Sequence, residues 1–400
     1  MILSIVIPAY NEEEAIASII ERCLDQRASI VSRTPVDEVE IIVVSDGSSD
    51  RTAELASSFQ PEITLIAYEH NRGYGAALKQ GFAAAKGDLV SFLDADGTCN
   101  PAYFVPMVNA LLEENADISI GSRMTPESSM PRTRRIGNTI FRSLINLLGD
   151  TEITDCASGM RVIRRESLSK IYPLPDGLQF TPAMTCRAVL DMGLKIIEVP
   201  MEYKERLGRS KLGVVKDGFR FLWTIVDIGL TYRPFRLLGT IGLLFEFVAF
   251  VLGLSIVRVY LATGIIGEQI IYRFLALLTL GVSGLALLTL GTTAELIVQI
   301  TSDKRRPHRR LGGLVLNVFY RGQPALIAGI LMLVISAVVA LPSALEYVTS
   351  GVISRHWSYI VTGSFFSLVG AQLLSHATLV HLVKRIREQM DERKRLTNPQ

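Results

Sequence analysis

The apolar positions of this 400-residue chain form short runs in its first half and long runs in its second half. Up to about residue 211, apolar runs of no more than seven residues alternate with segments of helical composition. The short runs lie at 2–8, 39–45, 63–68 and 88–93. Strands that are buried on both faces are short and apolar, and their alternation with helices produces a mostly parallel sheet. The pattern therefore predicts an α/β domain, with helices on both faces of the sheet, over residues 1–212.

Four long apolar stretches follow. Each is at least as long as the roughly 20 residues that a helix needs to cross the ~30 Å hydrocarbon core of a bilayer. The stretches lie at about 237–257, 274–294, 324–345 and 357–382. Together they contain one charged side chain, Glu246, for which a functional role and a role in helix packing both remain open. We predict a membrane domain of four helices over residues 235–385 and a basic tail over residues 386–400.

Lysine and arginine residues flank these stretches unevenly. Six lie in the loop after the second stretch, including those at 304–310, and six lie in the tail, whereas the two opposite connections contain three together. Cytoplasmic loops of membrane proteins are enriched in Lys and Arg. The N-terminus has no basic segment of the kind that begins a signal peptide. We therefore predict a multi-pass integral membrane protein whose α/β domain and both termini are cytoplasmic.

Residues 213–234 have the pattern of an amphipathic helix. Lys216 and Arg220 fall on one side of a helical wheel, while Val215 and Phe219 fall on another. A helix of this kind lies in the membrane interface with its apolar face toward the lipid. We interpret it as an interfacial helix that leads into the first span, and an ordinary surface helix of the α/β domain is the alternative.

Polar residues collect where the predicted strands end. They occur in segments 8–12, 45–50 and 94–98. Ligands of parallel α/β sheets bind at the carboxyl ends of the strands. Asp94 and Asp96 would repel each other at this position unless a cation lies between them, and Mg²⁺ or Mn²⁺ typically combines one or two carboxylates with substrate phosphates. The pair predicts a metal–diphosphate site, and a solvated turn is the alternative.

Seven motifs occur in order along the first part of the chain. They are Pro8-Ala-Tyr-Asn-Glu12, Ser45-Asp-Gly-Ser-Ser-Asp-Arg-Thr52, Asn71-Arg-Gly-Tyr-Gly-Ala-Ala77, Asp94-Ala-Asp96, Gly121-Ser-Arg123, Ser158-Gly-Met-Arg161 and the segment 198–212. As a set they resemble glycosyltransferase family 2, in particular its polyprenyl-phosphate (dolichyl-phosphate type) sugar synthases. The resemblance covers about residues 3–233. It implies a GT-A fold that holds a nucleotide-sugar donor and receives an anionic lipid acceptor from the membrane side.

The resemblance also implies roles for individual residues. For nucleotide-sugar binding these are Pro8, Ala9, Tyr10, Glu12, Asp46 and Lys211. For catalysis they are Asp94, Asp96 and Arg206, of which the two acids also hold the metal. For the acceptor phosphate they are Arg123, Arg134 and Asn138. Arg134 and Asn138 are four residues apart, so a helix would present both on one face.

The resulting hypothesis is an enzyme that transfers a sugar from a GDP- or UDP-sugar to a polyprenyl phosphate, with inversion, at the cytoplasmic membrane face. A processive polysaccharide synthase of the same fold is a second interpretation, although the Gln-X-X-Arg-Trp motif that such enzymes carry does not occur here. A catalytically silent membrane scaffold or lipid-linked-sugar carrier is a third. Association of copies through the membrane helices is left open.

Composition adds two limits. The 41 basic and 39 acidic residues leave a net charge of +2, which argues against a nucleic-acid-binding protein with a strongly basic surface. The four cysteines all precede the long apolar stretches and form no Cys-X-X-Cys pair. They are expected to be free thiols and favour neither a disulfide framework nor a zinc site.

Overall fold

The structure is a computed structural model that describes residues 1–126, 128–206, 208, 211, 213–301, 319 and 321–397. It consists of two compact units, Met1–Gly229 and Leu230–Gln400. The predicted basic loop at 304–310 and the last three residues of the predicted tail lie outside the described residues.

The first unit is built on a seven-stranded sheet. Its strands are β1 (Ile2–Ala9), β2 (Glu38–Asp46), β3 (Thr64–Tyr68), β4 (Leu89–Leu93), β5 (Ile118–Ser122), β6 (Met160–Arg164) and β7 (Ile196–Pro200). Their order in the sheet is β3-β2-β1-β4-β6-β5-β7. All pairings are parallel except those of β6, which runs antiparallel to β4 and β5. The predicted α/β fold of the GT-A type is confirmed, including the four strands read from the apolar runs.

Helices cover both faces of this sheet. They are α1 (Ile16–Arg33), α2 (Thr52–Ser57), α3 (Tyr74–Ala84), α4 (Phe104–Glu113), α5 (Arg132–Gly149), α6 (Arg165–Lys170), α7 (Phe180–Arg187) and α8 (Val214–Tyr232), with a 3₁₀ turn at Pro101–Tyr103 and a π-helical turn at Ala188–Met192. Apolar side chains of β1, β2, α1 and α4 form one continuous buried core. All four cysteines are buried free thiols.

The order in which successive strands are added to the sheet changes side at β1: β2 and β3 lie on one side of it and β4 on the other. Strand β1 pairs with β2 on one side and with β4 on the other, in parallel on both sides. The helices that follow such strands leave in opposite directions and open a crevice at the carboxyl ends. This crevice collects the segments that follow β1, β2 and β4, which are the polar segments singled out in the sequence.

Helix α8 packs on the first unit through one of its faces. The rings of Phe221 and Phe141 of α5 lie 5.8 Å apart, centroid to centroid, and a Cβ atom on Gly229 would lie 2.8 Å from Leu148 of α5. The other face, which includes Val215 and Trp223, is exposed. The helix is thus a surface helix of the first unit that also presents an apolar face, so the predicted amphipathic pattern is present.

The second unit contains four long helices within the described residues. They are α9 (Pro234–Thr263), α10 (Ile271–Thr301), α11 (Gln323–Ser350) and α12 (Trp357–Thr397), with a 3₁₀ turn at Glu268–Ile270 before α10. All four are long and apolar enough to cross a membrane, and each contains one of the predicted stretches. The four predicted membrane helices are confirmed in number and order.

Candidate active site

A cavity of about 470 Å³ lies in the first unit, where β1, β2 and β4 end. Every residue for which the family resemblance implies a role in catalysis, donor binding or acceptor binding lines it. The twelve residues are Pro8, Ala9, Tyr10, Glu12, Asp46, Asp94, Asp96, Arg123, Arg134, Asn138, Arg206 and Lys211. Segments far apart in the sequence therefore converge on one site, while the role of each residue stays a prediction.

The two acids that follow β4 have different surroundings. Asp94 Oδ1 accepts a hydrogen bond from Tyr74 Oη at 2.7 Å. Asp96 Oδ1 accepts hydrogen bonds from the backbone and hydroxyl of Thr98 at 3.1 and 2.7 Å, and Asp96 Oδ2 lies 3.4 Å from Arg206 Nη1. Burial raises the pKa of Asp94 to about 7, and the Asp96 carboxylate adds to this rise. Asp94 is thus more easily protonated than an exposed carboxylate, and the two acids lie close enough for the charge of Asp96 to act on Asp94.

The residue opposite Asp94 has to be a glycine. A Cβ atom on Gly159 would lie 1.8 Å from Asp94 Oδ2, and the Asp94 backbone N–H donates to the Gly159 carbonyl at 3.2 Å. Gly159 precedes β6, the antiparallel neighbour of β4. The Gly of the Ser-Gly-Met-Arg motif therefore makes room for the first acid.

This pair suits a divalent ion that is shared with a substrate. Within the described parts of the chain, no three His, Cys, Asp or Glu side chains come together as a complete metal site. Mg²⁺ and Mn²⁺ need no such cage, since they bind through one or two carboxylates plus phosphate oxygens and water. The raised pKa of Asp94 marks a place where a positive charge would be stabilised. The donor set and the electrostatics both fit the predicted Mg²⁺ or Mn²⁺.

Two cations of the segment after β7 converge on Glu12. Arg206 pairs with the Glu12 carboxylate and faces Asp96. Lys211 Nζ lies 2.6 Å from Glu12 Oε1, donates to the Asn11 carbonyl at 2.7 Å, and lies 5.7 Å from the centre of the Tyr10 ring. Glu12 therefore holds both cations at the edge of the cavity, where an incoming polyphosphate would compete for them.

Asp46 is buried at the end of β2 and holds the turn that precedes α3. Its carboxylate accepts from the backbone N–H groups of Arg72 and Gly73, each at 2.8 Å. Gly73 has φ +106°, and a Cβ atom on it would lie 2.5 Å from the Asp176 carbonyl oxygen. The motif Asn71-Arg-Gly-Tyr-Gly thus forms a fixed turn that brings Tyr74 to Asp94.

Arg123 and Asn138 share a buried partner, Asp155. The Arg123 guanidinium makes two contacts with the Asp155 carboxylate, Nε to Oδ2 at 2.7 Å and Nη2 to Oδ1 at 2.9 Å. Asn138 Nδ2 donates to Asp155 Oδ1 at 3.0 Å. Although burial opposes its ionisation, the Arg123 charge holds the pKa of Asp155 below its ordinary value. Asp155 therefore fixes the side chains of two predicted acceptor residues.

Arg134 is the third predicted acceptor residue, and it lies on α5 with Asn138 as the spacing predicts. Arg134 Nη1 donates to Tyr203 Oη at 3.2 Å, and the Arg123 guanidinium lies 5.7 Å from the centre of the same ring. Tyr203 thus joins the two arginines at the cavity wall.

The sequence motifs did not single out Asp155, Tyr203 or the contact of Tyr74 with Asp94. Asp155 lies three residues before Ser158-Gly-Met-Arg161, and Tyr203 lies inside segment 198–212, so their positions beside motifs were the available signal. Arg161, by contrast, belongs to a motif but supports the fold. It is fully buried and donates to the carbonyls of Cys156 and Ser158 at 2.9 and 3.2 Å.

Comparison with known proteins gives two family matches. Residues 4–172 match the family described as "Glycosyl transferase family 2". Residues 234–395 match a "Domain of unknown function (DUF8752)". The first match covers most of the sheet and its helices, and the second covers the four long helices.

The chain matches two curated relatives over most of their length. The chain is 32% identical over 240 residues to the dolichyl-phosphate hexose transferase of Haloferax volcanii, covering 58% of this chain and 95% of that protein. It is 29% identical over 309 residues to the undecaprenyl-phosphate 4-deoxy-4-formamido-L-arabinose transferase of Photorhabdus laumondii, covering 76% and 90%. A solved structure, that of glucosyl-3-phosphoglycerate synthase from Mycobacterium tuberculosis with Mn²⁺, UDP and phosphoglyceric acid, is 23% identical with a TM-score of 0.47, covering 57% and 78%.

Proposed function

The chain belongs to glycosyltransferase family 2, and we propose from this premise that it transfers a sugar from a GDP- or UDP-sugar to a polyprenyl phosphate, with inversion, at the cytoplasmic face of the membrane. The observation that carries the proposal is that one cavity is lined by all twelve residues to which the family resemblance gives a role. The names of the two relatives, a dolichyl-phosphate and an undecaprenyl-phosphate transferase, support a lipid phosphate as the acceptor.

The donor diphosphate is expected to bind beside Asp94, Asp96, Arg206 and Lys211. In the structure both cations are held by Glu12. A diphosphate carries more negative charge than one carboxylate and would draw the two cations toward itself. Their role in transfer is then to stabilise the charge that develops on the leaving nucleoside diphosphate.

The acceptor phosphate is expected to bind to Arg134, with Arg123 and Asn138 beside it. A phosphate monoester has its second pKa near 6, so its attacking oxygen is already ionised at about pH 7. A strong general base is therefore unnecessary, and the task of the site is to bring two anions together in line. A single displacement at the anomeric carbon inverts its configuration.

Asp94 and Asp96 are the residues that would hold Mg²⁺ or Mn²⁺. When bound, such an ion would act as a Lewis acid and offset the negative charge of the donor diphosphate. The chain's own contribution is to keep the two carboxylates close and buried, through Tyr74 and Thr98.

The membrane arrangement completes the proposal. We propose a catalytic domain over residues 1–212, an interfacial helix over 213–234, and a membrane domain over 235–385 with a cytoplasmic tail over 386–400. The exposed apolar face of α8, with Val215, Phe219 and Trp223, supports contact with the lipid surface. A lipid phosphate acceptor requires the catalytic cavity to work at the bilayer.

The experiment is a transfer assay with the purified full-length protein in lipid nanodiscs. Radiolabelled GDP- and UDP-sugars are offered one at a time together with undecaprenyl phosphate, and the products are separated by lipid extraction. A lipid-extractable product with a single sugar is expected from at least one donor. Its anomeric configuration, opposite to that of the donor, would support inversion.

The other outcomes decide between the remaining interpretations. A water-soluble or chain-length-heterogeneous polymer would instead identify a polysaccharide synthase. The absence of transfer from every donor would support a silent scaffold or carrier and would contradict the proposal.

A further inference from the structure

The membrane unit is built from two similar helical hairpins. In the first, α9 and α10 cross at Gly242 and Gly284, where a Cβ atom on Gly242 would lie 2.8 Å from the Gly284 carbonyl oxygen. In the second, α11 and α12 cross at Gly329 and Gly370, where a Cβ atom on Gly329 would lie 3.0 Å from the Gly370 carbonyl oxygen. Glycines at such crossings let two membrane helices approach closely. The two crossings have the same chemistry and nearly the same geometry.

The sequence spacing repeats as well. Gly242 and Tyr260 of α9, with Gly264 directly after it, have the same spacing as Gly329 and Tyr347 of α11, with Gly351 directly after it. Both helices end in the same way, because the N–H of Gly264 donates to the Tyr260 carbonyl at 2.8 Å and the N–H of Gly351 donates to the Tyr347 carbonyl at 2.9 Å. The two terminal glycines have φ +69° and +71°. The two hairpins therefore share a glycine crossing and the same end to their first helix, as expected of a duplicated hairpin.

A cavity of about 480 Å³ lies where the two hairpins meet. The first hairpin contributes Glu246 and Leu285 among others, and the second contributes Ala328 and Val369. This volume is within the roughly 300–1,000 Å³ of ordinary ligand sites. In secondary transporters, which are often built from such repeats, the substrate site lies at the boundary between repeats. Both the position and the size of the cavity are those of a ligand site.

The residues that line the cavity indicate what kind of ligand it would bind. All of its described residues except Glu246 are apolar or glycine. Ordered water needs two to four polar partners, and the described residues of this lining offer one polar side chain, Glu246. Along α12 the lining extends from Leu373 to Phe365, about 12 Å at 1.5 Å per residue, and it includes Pro324 near the beginning of α11. An elongated apolar cavity inside membrane helices fits a hydrocarbon chain.

We propose that this repeat cavity binds a segment of the isoprenoid chain of the acceptor lipid. This inference rests on the proposed function, since it takes the acceptor to be a polyprenyl phosphate. It gives the four helices a task beyond anchoring. Acceptors whose chain is long enough to fill the cavity would gain affinity that short acceptors cannot.

The test compares a filled cavity with a matched control. Ala328→Phe places a ring in the cavity, whereas Ala337→Phe makes the same change at an exposed position of the same helix. The readout is the ratio of kcat/KM for undecaprenyl phosphate to that for geranyl phosphate, with the full-length protein in nanodiscs. Ala328→Phe is expected to lower this ratio roughly tenfold, which corresponds to about 1.4 kcal/mol, and Ala337→Phe is expected to leave it unchanged.

The outcomes separate the inference from the function on which it rests. If the wild-type protein glycosylates neither acceptor, the proposed function fails. If it glycosylates both and the two Phe variants have equal ratios, the chain site is wrong. Glu246→Leu is expected to retain the preference for the long acceptor, because an entirely apolar cavity still fits a chain. Loss of that preference in Glu246→Leu but not in Glu246→Gln would instead indicate a polar ligand.

A crosslinking measurement covers the case in which Ala328→Phe fails to fold. The wild-type protein is irradiated with a polyprenyl phosphate that carries a diazirine on its chain, and the labelled peptides are identified by mass spectrometry. Label is expected on cavity residues of both hairpins, such as Leu285 and Val369. Label confined to exposed positions such as Ala337 would overturn the inference.

Discussion

The carboxylate of Asp96 lies beside Arg206, one of the two cations proposed to bind the donor diphosphate. It accepts from Thr98 and faces Arg206, which also pairs with Glu12. We expect Asp96→Ala to lower kcat of sugar transfer by at least about 10²-fold, the scale on which loss of a group that stabilises developing charge slows a reaction. The measurement is the transfer assay with saturating donor. Asp25→Ala, which removes an exposed acid of α1, is the control. Wild-type turnover in the Asp96 variant would contradict the assignment.

Asp94 gives a prediction about stability and pH. Its pKa is raised from 3.8 to about 7 in the folded protein, first by burial and then by Asp96. The folded state therefore holds this proton more tightly than the unfolded state, so stability falls as pH rises from about 4 to about 7 and stays lower above that range. Asp94→Asn removes the titration. We expect the variant to have the higher Tm at pH 8 and a flatter pH profile.

The measurement for Asp94→Asn is thermal unfolding of the full-length protein in detergent between pH 5 and 8, with a chelator and no donor. The chelator matters because a bound divalent ion would stabilise the ionised carboxylate and hide the effect. Parallel pH profiles for wild type and variant would show that Asp94 does not carry the raised pKa.

Substitution of Arg134 tests whether this residue binds the acceptor phosphate specifically or only attracts the protein to the membrane surface. It lies in the cavity wall, whereas Arg132, two residues earlier on α5, is exposed. Each basic residue near an anionic surface contributes about 1 kcal/mol of attraction, so both variants lose that contribution. We expect Arg134→Ala to raise the KM for the lipid phosphate roughly tenfold more than Arg132→Ala does, for the further loss of about 1.4 kcal/mol. The Kd of the donor should change little.

The control for Arg134→Ala is therefore Arg132→Ala, assayed with the same lipid composition. Equal increases in KM for the two variants would reduce the role of Arg134 to surface attraction. A matching loss of donor affinity in Arg134→Ala would move the residue to the donor site.

Single residues also show how far the sequence could predict the site. Asp94, Asp96 and Asp46 follow apolar strands, and the ends of parallel strands meet at one edge of a sheet, so their convergence could be expected. Asp155 lies in an irregular segment between α5 and β6, where no periodicity fixes its direction. Its contacts with Arg123 and Asn138 depend on how three separate segments pack, which only the folded structure specifies.

At the scale of elements, the apolar runs identified β1 to β4 but not the strands that follow. Strand β6 has the sequence Met-Arg-Val-Ile-Arg, in which the buried Arg161 interrupts the apolar pattern. The carbonyls of Cys156 and Ser158 and the hydroxyl of Thr185 compensate its burial. Hydrogen-bond partners from other segments thus allow this sequence to form a buried strand, although its residue pattern does not predict one. The membrane helices are likewise longer than their apolar stretches, because α9 continues through Arg258 and Tyr260 to its glycine cap.

The hairpins of the membrane unit make a prediction at this scale. A Cβ atom on Gly242 would meet the backbone of α10 at 2.8 Å, whereas one on Gly267 would meet nothing within 4 Å. We expect Gly242→Val to destabilise the folded protein by about 1–3 kcal/mol, the usual cost of overpacking, because backbone cannot move aside as a side chain can. Gly267→Val, in the connection between α9 and α10, is the matched control.

The measurement for the two glycine variants is the Tm of the full-length protein in detergent. Gly242→Val should unfold at a lower temperature than Gly267→Val. Equal values of Tm would show that the close approach of α9 and α10 contributes little to stability.

At the scale of the whole molecule, the chain divides its chemistry between two units. The first unit gathers buried carboxylates and arginines in one cavity, and the second contains an apolar cavity whose described residues include one carboxylate, Glu246. The proposed transfer of a sugar from a nucleotide-sugar to a polyprenyl phosphate requires both environments, because a nucleotide-sugar is soluble in water and a polyprenyl chain is not. The contrast between short and long apolar runs along the sequence follows from this division.

The orientation of the molecule in the membrane can be tested with cysteines. All four native cysteines are buried, and burial raises the pKa of Cys23 and Cys99 to about 12, so they should react poorly with maleimides. Ile265→Cys places a thiol in the exposed connection between α9 and α10, and Gln389→Cys places one near the C-terminal end of α12. The distribution of Lys and Arg predicts that these two positions lie on opposite sides of the membrane.

We therefore expect a membrane-impermeant maleimide to label the Ile265→Cys protein in intact cells, and the Gln389→Cys protein only after the membrane is permeabilised. The wild-type protein should remain unlabelled in both conditions. Labelling of the Gln389→Cys protein in intact cells would place the tail outside. Because an even number of spans keeps the two ends of the membrane unit on one side, the first unit would then lie outside as well, away from the cytoplasmic pool of nucleotide-sugars that the proposed reaction needs.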